Sequence, residues 1–306
     1  ARDNLIKMYL DSLEENKIPW EQPWTNDVPR NAISNYKYNG INNLILSYVA
    51  NKRGYKDNRW CTYDQKKKNH WYFKGDAKGQ GVWIEFWSKY NIKTKKAISF
   101  SEYEKIIAES PELADDCKNI LVFNADLIAN IPKQEMKNEK INHCEIINNI
   151  IDNLNVSYRE EGNEAYYNPI NDEVHVPKSS QFKDEYSFYA TQLHELSHAT
   201  GHPNRLNREI VNTFGSEEYA KEELRAEISS SFMMQKLKLN YDENHYNEHK
   251  SYIRNWIDIL KNQPSELFKA IKDADKIVNY MEEQSLRKDK TYSDLDKEKE
   301  MEIEYE

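Results

Sequence analysis

Two histidines four residues apart are the first feature of this sequence with recognisable chemistry. His194 and His198 stand in the stretch HELSHATGH, and this spacing places both rings on one face of a helix. Two imidazoles on one face can bind the same Zn²⁺ ion. Glu195 lies about 100° further around the helix axis, so its carboxylate can reach a zinc-bound water without binding the metal. The pattern predicts a zinc hydrolase site with Glu195 as general base.

A catalytic zinc site also needs a third protein ligand and an open position. The segment EEYAKEELRAEISSSFMM offers Glu223 and Glu227, again four residues apart on a predicted helix. The order of residues favours Glu223 as the ligand. Glu227 would then accept a hydrogen bond from a ligand histidine and fix its tautomer. The reverse assignment stays open on the sequence alone.

The elements that must position these residues can be predicted from flanking signals. The histidine helix should begin near KDEYS, with acidic residues in its first turn, and end at Gly201. Before it we predict a helix at CEIINNIIDNL and strands at VSYRE, AYYNP and DEVHVP. The DEVHVP strand is expected to run beside the cleft and pair with an extended substrate. Tyr219 and Arg205 are candidates for stabilising the transition state.

The first third of the chain has a different chemistry. Residues 1–100 carry a net charge of +8, whereas the remainder carries −17, and six of the seven tryptophans lie in the first hundred residues. A basic block on an acidic protein indicates a localised site for a polyanion. Its predicted elements are a helix around Leu5–Leu13, a helix at INNLILSYVANK, a short helix capped by Thr62, two aromatic strands around the glycine-rich turn of HWYFKGDAKGQGVWIEFW, and a strand at LVFN.

These differences predict an α+β protein of two domains. Residues 1–126 form the first domain, of helices and strands, and residues 143–286 form the second, mostly helical domain. Residues 127–142 are polar, contain a proline and are predicted to be a linker. Residues 287–306 alternate in charge and are predicted to be a disordered tail.

The spacing of the cysteines and the hydropathy of the sequence indicate where in the cell the protein is found. Cys61, Cys117 and Cys144 lie far apart, without the spacing of a metal or disulfide framework, which is typical of a reducing environment. No apolar run is long enough to span a bilayer. We therefore expect a cytoplasmic protein with no membrane partner.

Taken together, the motifs resemble a known family. HELSHATGHPNRLNR, followed by FGSEEYAKEELRAEISSSFM, resembles the zincin-like metallopeptidase domain of ArdC-type antirestriction proteins. LEENKIPWEQPW, YKYNGINNLIL, RWCTYDQ and KGQGVWIEFW resemble the single-stranded-DNA-binding domain of the same family. The resemblance covers most of residues 3–285. It implies a mobile-element protein that protects incoming single-stranded DNA from host restriction during transfer. It also implies a gluzincin-type shell of His194, His198 and Glu223, with Glu195 as base.

Single strands are bound by aromatic platforms beside a basic track, and residues 52–96 contain both. The predicted nucleic-acid-binding side chains are Arg59, Lys66, Lys67, Lys68, Lys74, Lys78, Trp71, Tyr72 and Phe73. About half of the aromatic residues in an alternating strand point inward. Tyr72 or its neighbours Trp71 and Phe73 are therefore expected to stack on bases, without the sequence telling which face is outward.

The same sequence features are compatible with two other functions. In the first, the zinc is structural only, in a DNA-binding shield without catalysis. Alternatively, the protein is a peptidase that acts on a host factor or on itself, with DNA only as its tether.

Overall fold

Two units of structure make up the chain, residues 1–136 with 260–264 and residues 137–259 with 265–306. The structure is a computed structural model, and it describes residues 2–15, 27–75, 77–91, 93–94, 96–98, 102, 106, 115–133, 141–239 and 250–287. The predicted tail beyond Arg287 lies outside the described residues.

The described helices of the first unit follow the sequence signals. They are α1 (Arg2–Glu14), α2 (Gly40–Arg53) and α3 (Tyr63–Lys68). The predicted cap of α3 is confirmed, because the Thr62 side chain accepts a hydrogen bond from the Gln65 backbone N–H at 3.1 Å. The Gln65 side-chain oxygen in turn accepts from the Thr62 backbone N–H at 2.9 Å. This reciprocal capping box fixes the start of the helix that carries three lysines.

The strands of the first unit form one larger and one smaller sheet. They are β1 (Arg30–Asn31), β2 (Arg59–Thr62), β3 (Tyr72–Phe73), β4 (Val82–Asn91), β5 (Lys96–Ala97), β6 (Asp115–Asn124) and β7 (Ile128–Ala129). The larger sheet has the order β1-β2-β6-β4-β5. Its first pair is parallel, and the remaining pairs are antiparallel.

The expected hairpin of two aromatic strands is wrong in its pairing. Both strands form, but β3 pairs antiparallel with β7, and β4 pairs with β5 and β6. The physical reason is a core cluster in which Cys61, Trp71, Phe123 and Ile128 are buried together. Burying these side chains favours the long-range β3–β7 pair over a local turn. Since β7 lies within the predicted linker, the first unit continues past residue 126.

The second unit supports its sheet with long helices. The helices are α4 (His143–Leu154), α5 (Glu185–Ala199), α6 (Glu217–Lys236), α7 (Lys250–Asn262) and α8 (Ser265–Leu286). The last residues of α7, 260–262, are counted with the first unit. The strands are β8 (Ser157–Glu160), β9 (Tyr166–Asn168) and β10 (Glu173–Val176), in the order β8-β10-β9. Helix α6 packs against α5 and α8, and α5 also lies against β9 and β10. The two helices with the predicted metal ligands are therefore neighbours.

The expectation that DEVHVP pairs with a substrate is wrong. This segment forms β10, which is the central strand, parallel to β8 on one side and antiparallel to β9 on the other. Its backbone groups are already used on both sides. Its histidine, His175, is held within the sheet, stacked on Tyr166 with ring centroids 4.6 Å apart and 3.0 Å from a Glu173 carboxylate oxygen.

No helix in the described part of the chain is both long and apolar enough to cross a bilayer.

Candidate metal centre and nucleic-acid interface

Helix α5 fixes the two histidines through its buried neighbours. Asp184 caps its first turn, since the Asp184 side chain accepts a hydrogen bond from the Ser187 backbone N–H at 2.7 Å. Leu193, Leu196 and Ala199 are fully buried along the helix. The rotation of the helix is thereby set by its apolar packing, and the direction in which His194 and His198 point follows from it.

Three donor atoms meet where α5 faces α6. His194 Nε2 lies 3.2 Å from His198 Nε2. Glu223 Oε2 lies 3.4 Å from His194 Nε2, and Glu223 Oε1 lies 3.4 Å from His198 Nε2. A tetrahedral ion with bonds of 2.0–2.1 Å separates its ligand atoms by about 3.3 Å. Two imidazole nitrogens this close also need a proton or a cation between them, because their lone pairs repel. The donor set therefore fits a divalent cation, and among the described residues it is the cluster that meets metal-site spacing.

Glu195 lies beside this cluster without joining it. Its side chain is buried, and a backbone hydrogen bond from Tyr167 in β9 reaches it. Burial raises the pKa of the Glu195 carboxyl. The raised pKa makes the Glu195 carboxylate a stronger base than an exposed glutamate.

Glu223 and Glu227 differ in the atoms that they face. Glu223 lies at the Nε2 atoms of both histidines, whereas Glu227 Oε1 lies 3.5 Å from His194 Nδ1, behind the ring. Burial opposes ionisation of Glu223, but the attraction of the two histidines outweighs it and lowers the pKa of this carboxyl. Glu223 thus lies on the coordinating side of both rings, and Glu227 lies on the opposite side of the His194 ring.

Two residues of this site were missed by the sequence reasoning. Glu222 Oε1 lies 3.3 Å from His198 Nδ1, and Arg208 Nη2 lies 2.7 Å from the same oxygen. No spacing rule identifies them, because they face inward only once α5, α6 and the segment between them are packed. The signal in the sequence is weak: a second glutamate directly before Glu223, and an arginine in the connecting segment.

Arg205 supports the site from outside it. Its guanidinium donates to the backbone oxygens of Ala199 at 2.7 Å and Leu154 at 2.9 Å, and pairs with Asp172. These bonds tie the end of α5 to the end of α4 and to the β9–β10 turn. Arg205 is therefore engaged in holding these elements together rather than facing the histidines.

The first unit exposes part of the predicted aromatic set. Tyr72 is 60% exposed, whereas Trp71 is 8% exposed and belongs to the core cluster. Phe73 is half-buried, with its ring centroid 4.9 Å from that of Phe123. Of the three predicted stacking residues, Tyr72 presents its ring to solvent. Exposed aromatic side chains that the sequence reasoning did not single out for stacking are Tyr36, Tyr63, Trp83 and Phe86.

The basic side chains of this region also divide into two kinds. Lys67, Lys68, Lys74 and Lys78 are exposed, and Lys66 Nζ lies over the Phe73 ring at 4.3 Å and over the Tyr63 ring at 5.0 Å. Arg59 differs, since its guanidinium is held by Asp57 at 2.6 Å and by a backbone oxygen. The lysines thus remain as the candidate basic track, and Arg59 contributes to the internal structure.

Comparison with protein families identifies two matches, one in each part of the chain. A family described as a zincin-like metallopeptidase matches residues 145–273. A second family, described as the N-terminal domain of the anti-restriction factor ArdC, matches residues 1–124.

Curated relatives match along nearly the whole chain. Two proteins of Escherichia coli named DNA primase TraC are 31% and 32% identical over 91% and 89% of this chain. The chain spans only 27% and 19% of the lengths of these primases. An uncharacterised protein of Sinorhizobium fredii is 27% identical over 92% of this chain and 91% of its own length.

Two solved structures are similar to this chain over nearly its whole length. The antirestriction protein ArdC from the R388 plasmid, in an Mn(II)-bound crystal structure, is 26% identical with a TM-score of 0.74, over 94% of this chain and 98% of that one. Its metal-free structure is 25% identical with a TM-score of 0.71, over 93% and 97% of the two chains. Both domain matches, in the same order, and the likeness over nearly the full length of both proteins show that the chain belongs to the ArdC-type antirestriction family, with a zincin-like metallopeptidase domain after the N-terminal domain.

Proposed function

We propose that this protein binds Zn²⁺ through His194, His198 and Glu223 and hydrolyses a peptide bond there. The carrying observation is that His194, His198 and Glu223 each bring a donor atom to within 4.8 Å of the other two, with the buried carboxylate of Glu195 beside them. A divalent metal held by such a set lowers the pKa of a bound water and polarises a carbonyl oxygen. The donor set of two imidazoles and one carboxylate is the kind that catalytic zinc takes.

The protein's own residues supply the proton transfers and the binding of substrate. Glu195 would accept a proton from the attacking water and give it to the leaving nitrogen. Strand β9 lies at the edge of its sheet, and its Tyr167 backbone bonds to Glu195. An extended peptide paired with this edge would lie next to the base. The edge strand, and not β10, is thus the proposed substrate-binding strand.

Metal content and hydrolysis test the two parts of this proposal in turn. Zn²⁺ and Mn²⁺ are titrated into the metal-free wild-type protein and the His194→Ala/His198→Ala variant, with both metals included because the ArdC relative was solved with Mn(II). We expect about one ion per wild-type chain and none in the variant. Cleavage of a peptide library is then measured with and without single-stranded DNA. Metal binding without any cleavage would instead support a structural zinc in a DNA-binding shield.

We also propose that the first unit binds single-stranded DNA and that the protein acts in the cytoplasm, where incoming DNA meets restriction enzymes. Support comes from exposed rings, among them Tyr72, Tyr63 and Trp83, in a unit whose exposed lysines include Lys67 and Lys68. Aromatic rings stack on unpaired bases, which a duplex does not offer, and lysines pair with phosphates.

Fluorescence anisotropy with the full chain tests DNA binding. Labelled single-stranded and double-stranded oligonucleotides of the same sequence are titrated across a series of salt concentrations. We expect tighter binding of the single strand at every salt concentration and a steep loss of affinity with salt. Equal affinity for both forms would show that the charge attracts polyanions in general and that the rings do not stack on bases.

A further inference from the structure

The side of His198 that faces away from the metal site is occupied by a carboxylate. His198 Nδ1 lies 3.3 Å from Glu222 Oε1, while its other ring nitrogen lies among the three donor atoms. Glu222 immediately precedes Glu223 on α6, so adjacent carboxylates of one helix reach the two opposite nitrogens of the same ring. A carboxylate at Nδ1 accepts the Nδ1 proton and leaves Nε2 free to coordinate.

Glu222 is itself held by a single arginine. Arg208 Nη2 lies 2.7 Å and Arg208 Nε 3.3 Å from the two Glu222 oxygens. The Glu222 and Arg208 side chains are 8% and 12% exposed. A carboxylate that is so deeply buried requires a counter-charge, and the forked guanidinium meets both oxygens at once.

The same arginine binds the end of the helix that carries His198. Arg208 Nη2 donates to the Ser197 backbone oxygen at 2.8 Å, and Nη1 donates to the Thr200 hydroxyl at 2.8 Å. Its backbone N–H donates to the Gly201 oxygen at 2.9 Å. Arg208 thus joins α6, through Glu222, to the last turn of α5.

Gly201 makes this approach sterically feasible. A Cβ atom at this position would lie 2.5 Å from Ile210 Cγ2 and 3.1 Å from Arg208 Nη2. Its backbone is not left-handed, unlike the usual glycine at a helix end. The absence of a side chain therefore serves the close packing of the segment that delivers Arg208.

We propose that Arg208 and Glu222 form a positioning pair, which holds His198 in the tautomer and orientation that direct Nε2 at the metal. This inference rests on the proposed metal site and adds to it two residues outside the ligand set. Without the pair, the His198 ring is free to rotate and to change tautomer. Each metal ion that binds must then fix the ring orientation and the tautomer, which lowers its affinity. The pair should therefore act on metal affinity and not on the number of metal ions bound.

Zn²⁺ affinity of the full chain, measured by competition with a chromophoric chelator, tests the pair. We expect Arg208→Ala and Glu222→Ala to weaken Zn²⁺ binding about 10- to 100-fold, the usual effect of losing a group that orients a ligand. Arg208→Lys keeps the charge but not the fork and should recover part of the affinity. Gly201→Ala, which displaces the arginine, should weaken binding in the same direction. If an alanine variant fails to fold without metal, Arg208→Lys and Glu222→Gln decide the question by the same titration.

A matched ion pair in the same unit separates positioning from general stability. Arg225 Nη2 lies 2.7 Å from Glu266 Oε1, with side-chain exposures of 14% and 5%, and joins α6 to α8. Arg225→Ala should lower the melting temperature of the metal-free protein about as much as Arg208→Ala, with unchanged Zn²⁺ affinity. Equal weakening of Zn²⁺ binding by both variants, or wild-type affinity in the Arg208 and Glu222 variants, overturns the inference. A wild-type protein that binds no Zn²⁺ overturns the proposed function itself.

Discussion

Glu223 and Glu195 lie beside the same two histidines in different surroundings, which suit them to different tasks in the proposed site. Glu223 meets the histidines at the atoms that coordinate, and its pKa is lowered by them against the effect of burial. Glu195 accepts a backbone hydrogen bond, yet burial keeps its pKa raised. The first environment suits a permanently charged ligand, and the second suits a group that takes up and releases a proton.

Glu195→Gln tests this division of labour at one atom. The amide has nearly the shape of the carboxylate but cannot accept the proton of the attacking water. We expect unchanged Zn²⁺ content and a fall in peptide hydrolysis of about 10²- to 10⁴-fold. Metal analysis and cleavage rates on the same preparations provide the measurement. A variant that cleaves at the wild-type rate would remove Glu195 from the proton transfer.

Asp172→Asn tests the support behind the site through its pH dependence. Burial opposes ionisation of Asp172, but hydrogen bonds from Arg205 and Tyr167 outweigh it, and the pKa lies below its ordinary value of 3.8. Because folding favours the ionised form, Asp172 stabilises the protein above pH 3.8, and this contribution is lost as pH falls through the lowered pKa.

The measurement is the difference in melting temperature between wild type and Asp172→Asn as a function of pH. We expect wild type to melt higher at neutral pH and the difference to shrink below pH 3.8. Groups common to both proteins cancel in this comparison. A difference that is independent of pH would mean that the carboxylate charge does not contribute.

The sequence predicted those residues whose chemistry depends on local spacing. His194, Glu195 and His198 belong to one helical turn, so their mutual placement follows from helix geometry. Glu222 and Arg208 could not be found in this way, because they are 14 residues apart and meet only after α5 and α6 pack. Side-chain partners across packed helices depend on tertiary structure, which no periodicity encodes.

At the scale of single elements, α3 should depend on its cap. Thr62→Ala removes the acceptor of the Gln65 backbone N–H and should destabilise the first unit by about 0.5–2 kcal/mol. Thr62→Ser keeps the hydroxyl and is the matched control. Urea unfolding followed by tryptophan fluorescence gives the two free energies of unfolding. Equal values for alanine and serine would show that the hydroxyl does not stabilise the helix.

The exposed ring of strand β3 should contribute directly to DNA binding. Tyr72→Ala is expected to weaken single-stranded DNA binding by about 1–3 kcal/mol, at low and high salt alike, because stacking involves no counterion release. Tyr166→Ala, at an exposed tyrosine of the second unit, serves as the control and should bind like wild type. An anisotropy titration in which both variants match wild type would place the DNA elsewhere.

Strand pairing marks the limit of prediction at this scale. The aromatic composition of β3 and β4 predicted two strands, and both form. Their partners were not predictable, since β3 pairs with β7 more than fifty residues away, where Ile128 completes the core around Trp71. Neighbouring residues of a strand point to opposite faces of the sheet, so one of Trp71 and Tyr72 is expected to be buried. Which of them is buried depends on which face of the sheet is covered, and this is decided by tertiary structure.

At the scale of the whole molecule, metal binding should protect one unit selectively. The candidate ligands all lie in residues 137–259. A ligand that binds only the folded state stabilises it by about 2.7 kcal/mol at a concentration 100 times its dissociation constant. Hydrogen exchange with and without Zn²⁺ should therefore show slower exchange in α5 and α6 and no change in β2 and β6. Equal protection of both regions would contradict metal binding confined to this cluster.

The buried thiol of Cys61 gives the first unit its own reporter of opening. Its side chain is fully buried, and burial raises the pKa of the thiol to about 11, so both access and the thiolate are suppressed in the folded state. Cys144 is exposed. In a background with Cys117 replaced by serine, an alkylating reagent would label Cys144 at once, and Cys61 only in molecules whose core has opened. The rate at which Cys61 is alkylated then measures the local stability of the first unit in the intact protein, without a dye or a truncation.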